Sequence, residues 1–272
     1  MGATDGDGQH GDGQHGGGRP EEAGQGGEGA SAALRLLVAQ NDPESGPGTL
    51  EHALMEGGAD LEFWLPFRGE SAPPLDGFAG VLVFGGATNP DEDEDAPWLS
   101  EVREYVGEVL DQGVPYLGVC LGAQLLAQAA GGEASSETHP DEIGWSELEV
   151  ADEVKRDPLF GGLRDGERVF EHHSFGITAP QDATVLATTE GDHQLFRVGE
   201  AAWGVQFHLE VDLPVLAIKL VTSLEELEGA SIDAKALRLE SAESVERLRA
   251  LGEQVAYRFL ALCTHDTTKG DA

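Results

Sequence analysis

Gly118-Val119-Cys120-Leu121-Gly122 is the stretch that decides how this chain folds. It has the form of a strand-to-helix elbow, with glycines two residues either side of a nucleophile, in which a sharp turn lifts a reactive side chain to the top of a parallel sheet. The flanks agree. Val114-Pro115-Tyr116-Leu117-Gly118-Val119 is a short apolar run suited to a buried strand. Ala123 to Ala130 is rich in helix formers and is closed by Gly131-Gly132. A thiol at the junction lies at the positive end of the helix dipole, beside unpaired backbone N–H groups, which favours the thiolate. The glycines leave room for the turn, where Cβ atoms would crowd it.

A cysteine nucleophile needs a general base, and the base needs an orienting group. Ala202-Trp203-Gly204-Val205-Gln206-Phe207-His208-Leu209-Glu210-Val211 offers both. In an extended segment residues i and i+2 share a side, so the Glu210 carboxylate is expected to reach the His208 ring. Singly, a buried turn cysteine, a strand-end histidine and a solvated carboxylate are each ordinary. In the order Cys120, His208, Glu210 they read as nucleophile, base and orienter.

Working outward, Leu34–Ala39, Val81–Phe84 and Pro115–Val119 read as buried parallel strands. Helical stretches at Thr49–Glu56 and Trp98–Asp111 separate them, the second with Leu99, Val102, Val106, Val109 and Leu110 on one face. This alternation predicts an α/β fold with a doubly wound, mostly parallel sheet and flanking helices. Short strands joined by turns follow at Arg168–His172, Thr184–Thr188, Gln194–Val198 and Ala202–Phe207. The C-terminal part holds a Glu-rich stretch around Leu224 to Gly229. A helix from about Ser244 to Leu262 follows, with Val245, Leu248, Val255, Phe259 and Leu262 as its core stripe.

Of the 272 residues, 51 are acidic and 16 basic, a net charge of −35. Residues 1–30, a Gly/Asp/Gln/Glu/His-rich stretch with Asp-Gly-Gln-His twice, hold only six of the acids and one of the bases. That composition predicts a disordered tail, with His10 and His15 solvated rather than binding metal. The rest of the acidic excess therefore belongs to one domain over residues 31–265, ahead of a flexible terminus at 266–272. Such a surface argues against nucleic acid or anionic membrane as a partner, since both need clustered Lys and Arg. It suits a salt-adapted host or a Lys-poor proteome equally. The first apolar run, Leu34 to Ala39, is too short and too late for a secretory or membrane segment. With two cysteines, Cys120 and Cys263, no disulfide framework is expected, Cys263 reads as packing, and a cytoplasmic location follows.

Gly-Val-Cys-Leu-Gly-Ala-Gln at 118–124 and Phe-His-Leu-Glu at 207–210 resemble the class I, triad-type glutamine amidotransferases, in particular the glutaminase domain of GMP synthase. Asn41 to Gly48, Val83-Phe84-Gly85-Gly86, the acidic loop Asp91 to Asp95 before Pro97-Trp98-Leu99, Glu142-Ile143-Gly144-Trp145 and Asp157-Pro158-Leu159-Phe160 extend the likeness in order from Leu34 to Val211. The resemblance implies a Cys120, His208, Glu210 triad and an oxyanion hole from the N–H groups of Gly86 and Leu121. It further implies substrate contacts at Gly85 and Gln124, and main-chain contacts to glutamine around His173, Ser174 and Phe175. It implies L-glutamine as substrate, no cofactor, no metal, and ammonia released for a synthetase or acceptor supplied by a separate protein. A γ-glutamyl peptidase or hydrolase with the same triad, or a low-turnover glutamine-binding regulatory subunit, are the alternatives. The sequence departs from the family at Leu209, where proline is frequent, and at Ala123, where histidine is common. It departs again at Phe170 to Pro180, whose His-Ser-aromatic pattern is that of other branches.

Overall fold

The computed structural model describes residues 33–136, 142–222, 227–228 and 232–266, so the 1–30 tail, most of the Glu-rich stretch and residues 267–272 lie outside the described residues. The strands, in chain order, are β1 (Leu34–Ala39), β2 (Ala59–Trp64), β3 (Gly80–Val83), β4 (Tyr116–Val119), β5 (Glu133–Ser135), β6 (Glu142–Glu147), β7 (Glu149–Val150), β8 (Arg168–His173), β9 (Gly176–Thr178), β10 (Thr184–Thr189), β11 (Asp192–Val198) and β12 (Ala202–Val205). The helices are α1 (Thr49–Glu56), α2 (Trp98–Gln112), α3 (Leu121–Ala129), α4 (Leu213–Thr222) and α5 (Ala234–Asp266).

One sheet runs β2-β1-β3-β4-β12-β11-β10-β7. The first five of these strands are parallel, and β11, β10 and β7 continue the sheet antiparallel. Its inner strands β3, β4 and β12 are buried on both faces because both are covered. Leu36, Val38, Leu82, Leu117 and Val205 pack with α1 and α5, through residues such as Leu50, Leu54, Leu248 and Phe259. Leu37, Ala39, Val81, Val83 and Tyr116 pack with α2 and α3, through Leu99, Val102, Val106 and Leu125. The pleat thus sends alternate residues of one strand into two separate cores.

Three differences from the sequence reading have physical causes. Strand β2 is absent from that reading because its Ala-Asp-Leu-Glu-Phe-Trp run carries charge at alternate positions, as an edge strand can. Helix α5 begins ten residues before Ser244 and reaches Asp266, one residue into the expected flexible terminus. Asp233 caps it, its Oδ1 accepting from the N–H groups of Lys235 and Ala236. Its early turns escape an apolar-stripe search because Ser241 and Ser244 occupy buried positions there. Finally, β12 ends at Val205, so His208 and Glu210 do not share a strand but lie in and beside the turn that follows it.

All the parallel strands other than the edge strand deliver a loop of interest from their carboxyl ends: residues 40–48 after β1, 84–89 after β3, Cys120 after β4 and 206–210 after β12. That edge is where doubly wound sheets place their sites.

Candidate active site

Cys120 stands between β4 and α3 with φ 52° and ψ −111°, a left-handed conformation that a non-glycine residue adopts only when its surroundings force it. The surroundings do. Its N–H donates to Val205 O at 2.8 Å, and its own carbonyl accepts from Ala123 and Gln124 at 2.9 and 3.1 Å. The Tyr116 hydroxyl donates to Gly122 O at 2.8 Å, tying the strand to the first turn of the helix. A Cβ on Gly118 would sit 2.4 Å from Gly122 O, and one on Gly122 would sit 2.0 Å from Val83 O, so both glycines are steric requirements of the elbow.

His208 reaches the same point from β12. Its Nδ1 lies 2.7 Å from Glu210 Oε1, and both side chains are buried. The turn, rather than an extended strand, makes this contact, and the start of α1 pins it. The Thr49 N–H and hydroxyl donate to Glu210 O at 2.9 and 3.2 Å. A Cβ on Gly48, at φ 52°, would lie 2.1 Å from that oxygen. The other ring nitrogen faces His172 O at 3.5 Å, and the Cys120 thiol lies 4.0 Å from the same oxygen. Burial and the Lys219 charge push the His208 imidazolium down, but the charges of Glu210 and Cys120 push it up and prevail, holding its pKa at about 9. For Glu210, burial pushes up, while His208 and then Lys219 pull down and win, so the carboxylate stays ionised.

Cys120, His208, Gly86, Leu121, Gln124, Ser174 and Phe175 line one cavity of about 450 Å³. Gly85 lies behind it, its Cβ position 3.5 Å from Cys120 Cβ and 3.8 Å from His208 Cε1. The loop of Gly85 and Gly86 is fixed by Asn41, whose Nδ2 donates to Phe84 O at 2.8 Å. Gln124 lines the cavity, with its amide nitrogen committed to Phe175 O at 2.9 Å and Gln206 Oε1 at 3.2 Å, so it also braces the 172–175 segment. His173 reaches the cavity, but its ring turns away, with Nε2 at 3.1 Å from Glu142 Oε2 and 3% side-chain exposure.

Behind that ring lies a group the sequence reading missed. Donor atoms of Glu142, Glu171 and His173 all lie within 4.8 Å of one another, a spacing that could hold a metal ion. The carboxylates already accept protein hydrogen bonds: Glu171 from Thr189 at 2.9 Å and Ser146 at 3.2 Å, Glu142 from Gln194 at 2.9 Å. Burial and the Glu142 charge push Glu171 up to about 7. The cluster thus reads as a hydrogen-bonded brace under the 172–175 segment. Lys219, on α4, was also missed: it lines the cavity and, among the described residues, is the one Lys or Arg to do so. Glu171 and His173 share a face of β8 at i and i+2, but Glu142 joins them only through the pairing of β6 with β8, and Lys219 comes from α4, so the sequence alone brings neither site together.

Residues 47–221 match the family model for glutamine amidotransferase class I. The chain belongs to the class I glutamine amidotransferases. It is 33% identical over 141 residues to a glutamine-hydrolysing GMP synthase subunit of Thermoplasma acidophilum, covering 51% of this chain and 66% of that protein, just under two thirds. It is 32% identical over 167 residues to the subunit of the same name from Halobacterium salinarum, covering 60% of this chain and 82% of that protein. A glutamine amidotransferase crystal structure from Thermotoga maritima superposes with a TM-score of 0.77 at 28% identity, over 85% of this amidotransferase chain and 99% of the other. No helix among the described residues is long and apolar enough to cross a membrane.

Proposed function

We propose that this amidotransferase hydrolyses the side-chain amide of L-glutamine and releases the ammonia for a synthetase supplied by a separate protein. The observation that carries the reading is the strained Cys120 elbow beside the buried His208–Glu210 pair, its ring and carboxylate 2.7 Å apart, at the wall of a substrate-sized cavity. The Cys120 thiolate adds to the carboxamide carbon. The oxyanion so formed is met by the N–H groups of Gly86 and Leu121, a contribution of about 3 kcal/mol per donor. Collapse breaks the C–N bond as the His208 imidazolium gives its Nε2 proton to the departing nitrogen, leaving ammonia and a γ-glutamyl thioester. Neutral His208 then takes a proton from water, which cleaves the thioester to glutamate and restores the thiolate–imidazolium pair. Glu210 holds the ring and its charge throughout.

The names of the relatives support the glutamine substrate and a partner synthetase, and a cytoplasmic setting suits a catalytic thiolate. The domain limits that accompany the reading are 31–265, with the acidic tail outside them. The purified chain is expected to convert glutamine to glutamate and ammonia in equal amounts, slowly alone and faster when its synthetase is added. High partner-free kcat/KM on γ-glutamyl peptides, with a far poorer value on glutamine, would instead make it a γ-glutamyl hydrolase.

A further inference from the structure

We propose that Glu142, Glu171 and His173 form a binding site for one divalent first-row cation, Zn²⁺ or Mn²⁺, that staples β6 to β8 beneath the 172–175 segment. The inference is independent of the glutaminase reading, and the cation takes no part in the chemistry at Cys120. Pairing of the two strands builds the site. Glu142 stands directly opposite His173 in the antiparallel register, and Glu171 lies two residues before His173 on the same face of β8. Backbone pairing therefore presents one imidazole and two carboxylates together, with one donor atom from each within 4.8 Å of the others. The point they surround is at most about 2.8 Å from each donor, so shifts of less than about 1 Å bring all three to the roughly 2.0–2.2 Å of bound Zn²⁺.

Two further observations point to a ligand. His173 Nε2 lies 3.1 Å from Glu142 Oε2, yet neither ring nitrogen makes a hydrogen bond, and the side chain is only 3% exposed. The two atoms stand side by side rather than donor to acceptor. Neighbouring ligands of one ion, bonded at about 2.1 Å and roughly 90–110° apart, are separated by about 2.9–3.5 Å. An imidazole buried with both nitrogens unsatisfied is costly unless something completes it. The second observation is charge. Glu171 is buried and Glu142 half-buried, and among the described residues no Lys or Arg forms an ion pair with either. Two carboxylates so close and so poorly hydrated repel each other, and a divalent cation offsets both. The hydrogen bonds of the brace stay in place around it: Thr189 and Ser146 donate to Glu171 and Gln194 to Glu142, each oxygen keeps a second lone pair, and such donors orient metal-ligating carboxylates. One nitrogen with two carboxylates suits Mn²⁺ or Zn²⁺, whereas Mg²⁺ and Ca²⁺ take oxygen ligands.

The test is titration calorimetry of Zn²⁺ and Mn²⁺ into the full, untagged chain after chelation, in a Cys120→Ala background that removes the competing thiolate. The ion is expected to bind with a rise in melting temperature, Zn²⁺ more tightly than Mn²⁺. Thr189→Val leaves all three ligands and removes one hydrogen bond that orients Glu171, and should weaken binding roughly tenfold. Glu142→Gln or Glu171→Gln, each removing a ligand charge, should weaken it by more than about a hundredfold. Glu142 is the more exposed carboxylate, so where circular dichroism shows Glu171→Gln unfolded, Glu142→Gln decides. Zn²⁺ binding equal in the background chain and in Glu142→Gln assigns the ion to other groups, such as His10 and His15, and overturns the inference, as does the absence of binding in the background chain. Neither readout involves turnover, so the result stands whether or not the chain hydrolyses glutamine.

Discussion

Replacing Glu210 by glutamine removes a charge while keeping an acceptor oxygen where His208 needs one. The two groups are 2.7 Å apart and buried, so the carboxylate is the main neighbour opposing burial and the Lys219 charge, both of which push the imidazolium down. A hydrogen bond to a charged group is worth about 1.5–3 kcal/mol, and about 1.4 kcal/mol corresponds to one pH unit. His208, at about 9 in the native protein, should therefore fall by roughly one to two pH units, to about 7–8, in Glu210→Gln. Ammonia transfer requires the imidazolium, so the alkaline limb of kcat/KM moves down by the same interval. The loss approaches tenfold to a hundredfold well above pH 9 and shrinks to a few-fold near pH 7. The assay is ammonia release from glutamine between pH 6 and 10, with circular dichroism to confirm folding. A limb that stays near pH 9, or a loss as large at pH 7 as at pH 10, would refute the electrostatic role given to Glu210 and leave it only a structural one.

Cys120→Ala should abolish glutamine hydrolysis with the melting temperature nearly unchanged, whereas Cys263→Ala, in the core beside Gly80, should keep activity and lose about 1 kcal/mol; turnover in the first variant comparable to wild type sinks the mechanism. Glu171 has its pKa raised from 4.5 to about 7, so the folded state binds more protons than the unfolded one between those values and stability should fall by about 3 kcal/mol as pH rises through that window. Denaturant melts at pH 4.5 and 8 measure this, and Glu171→Gln should flatten the difference. Gly122→Ala drives a Cβ to 2.0 Å from Val83 O and should cost more than about 3 kcal/mol, while Gly107→Ala, in α2 with no atom near its Cβ position, should gain about 0.5–1 kcal/mol; equal thermal shifts in the two would contradict the packing described for the elbow.

The elbow, the parallel strands and the alternation of helices were legible in the sequence because each depends on residues adjacent in the chain. Gly118 and Gly122 mark a turn that only glycine flanks allow, and β1, β3 and β4 are continuous apolar runs because two helical layers cover them. Strand β2 was not, because an edge strand carries little of the burial that makes a pattern. The first turns of α5 were hidden because Ser241 and Ser244 satisfy themselves within the fold, Ser241 donating to Leu237 O and accepting from Trp145 Nε1. The pairing of His208 with Glu210 was foreseen, yet a turn clamped by Gly48 and Thr49 from 161 residues away makes it, not an extended strand. Lys219 and the Glu142–Glu171–His173 cluster depended on tertiary structure alone. Their chemistry comes from low dielectric and from neighbours that four separate elements bring within a few ångströms, and neither quantity exists until the chain is packed.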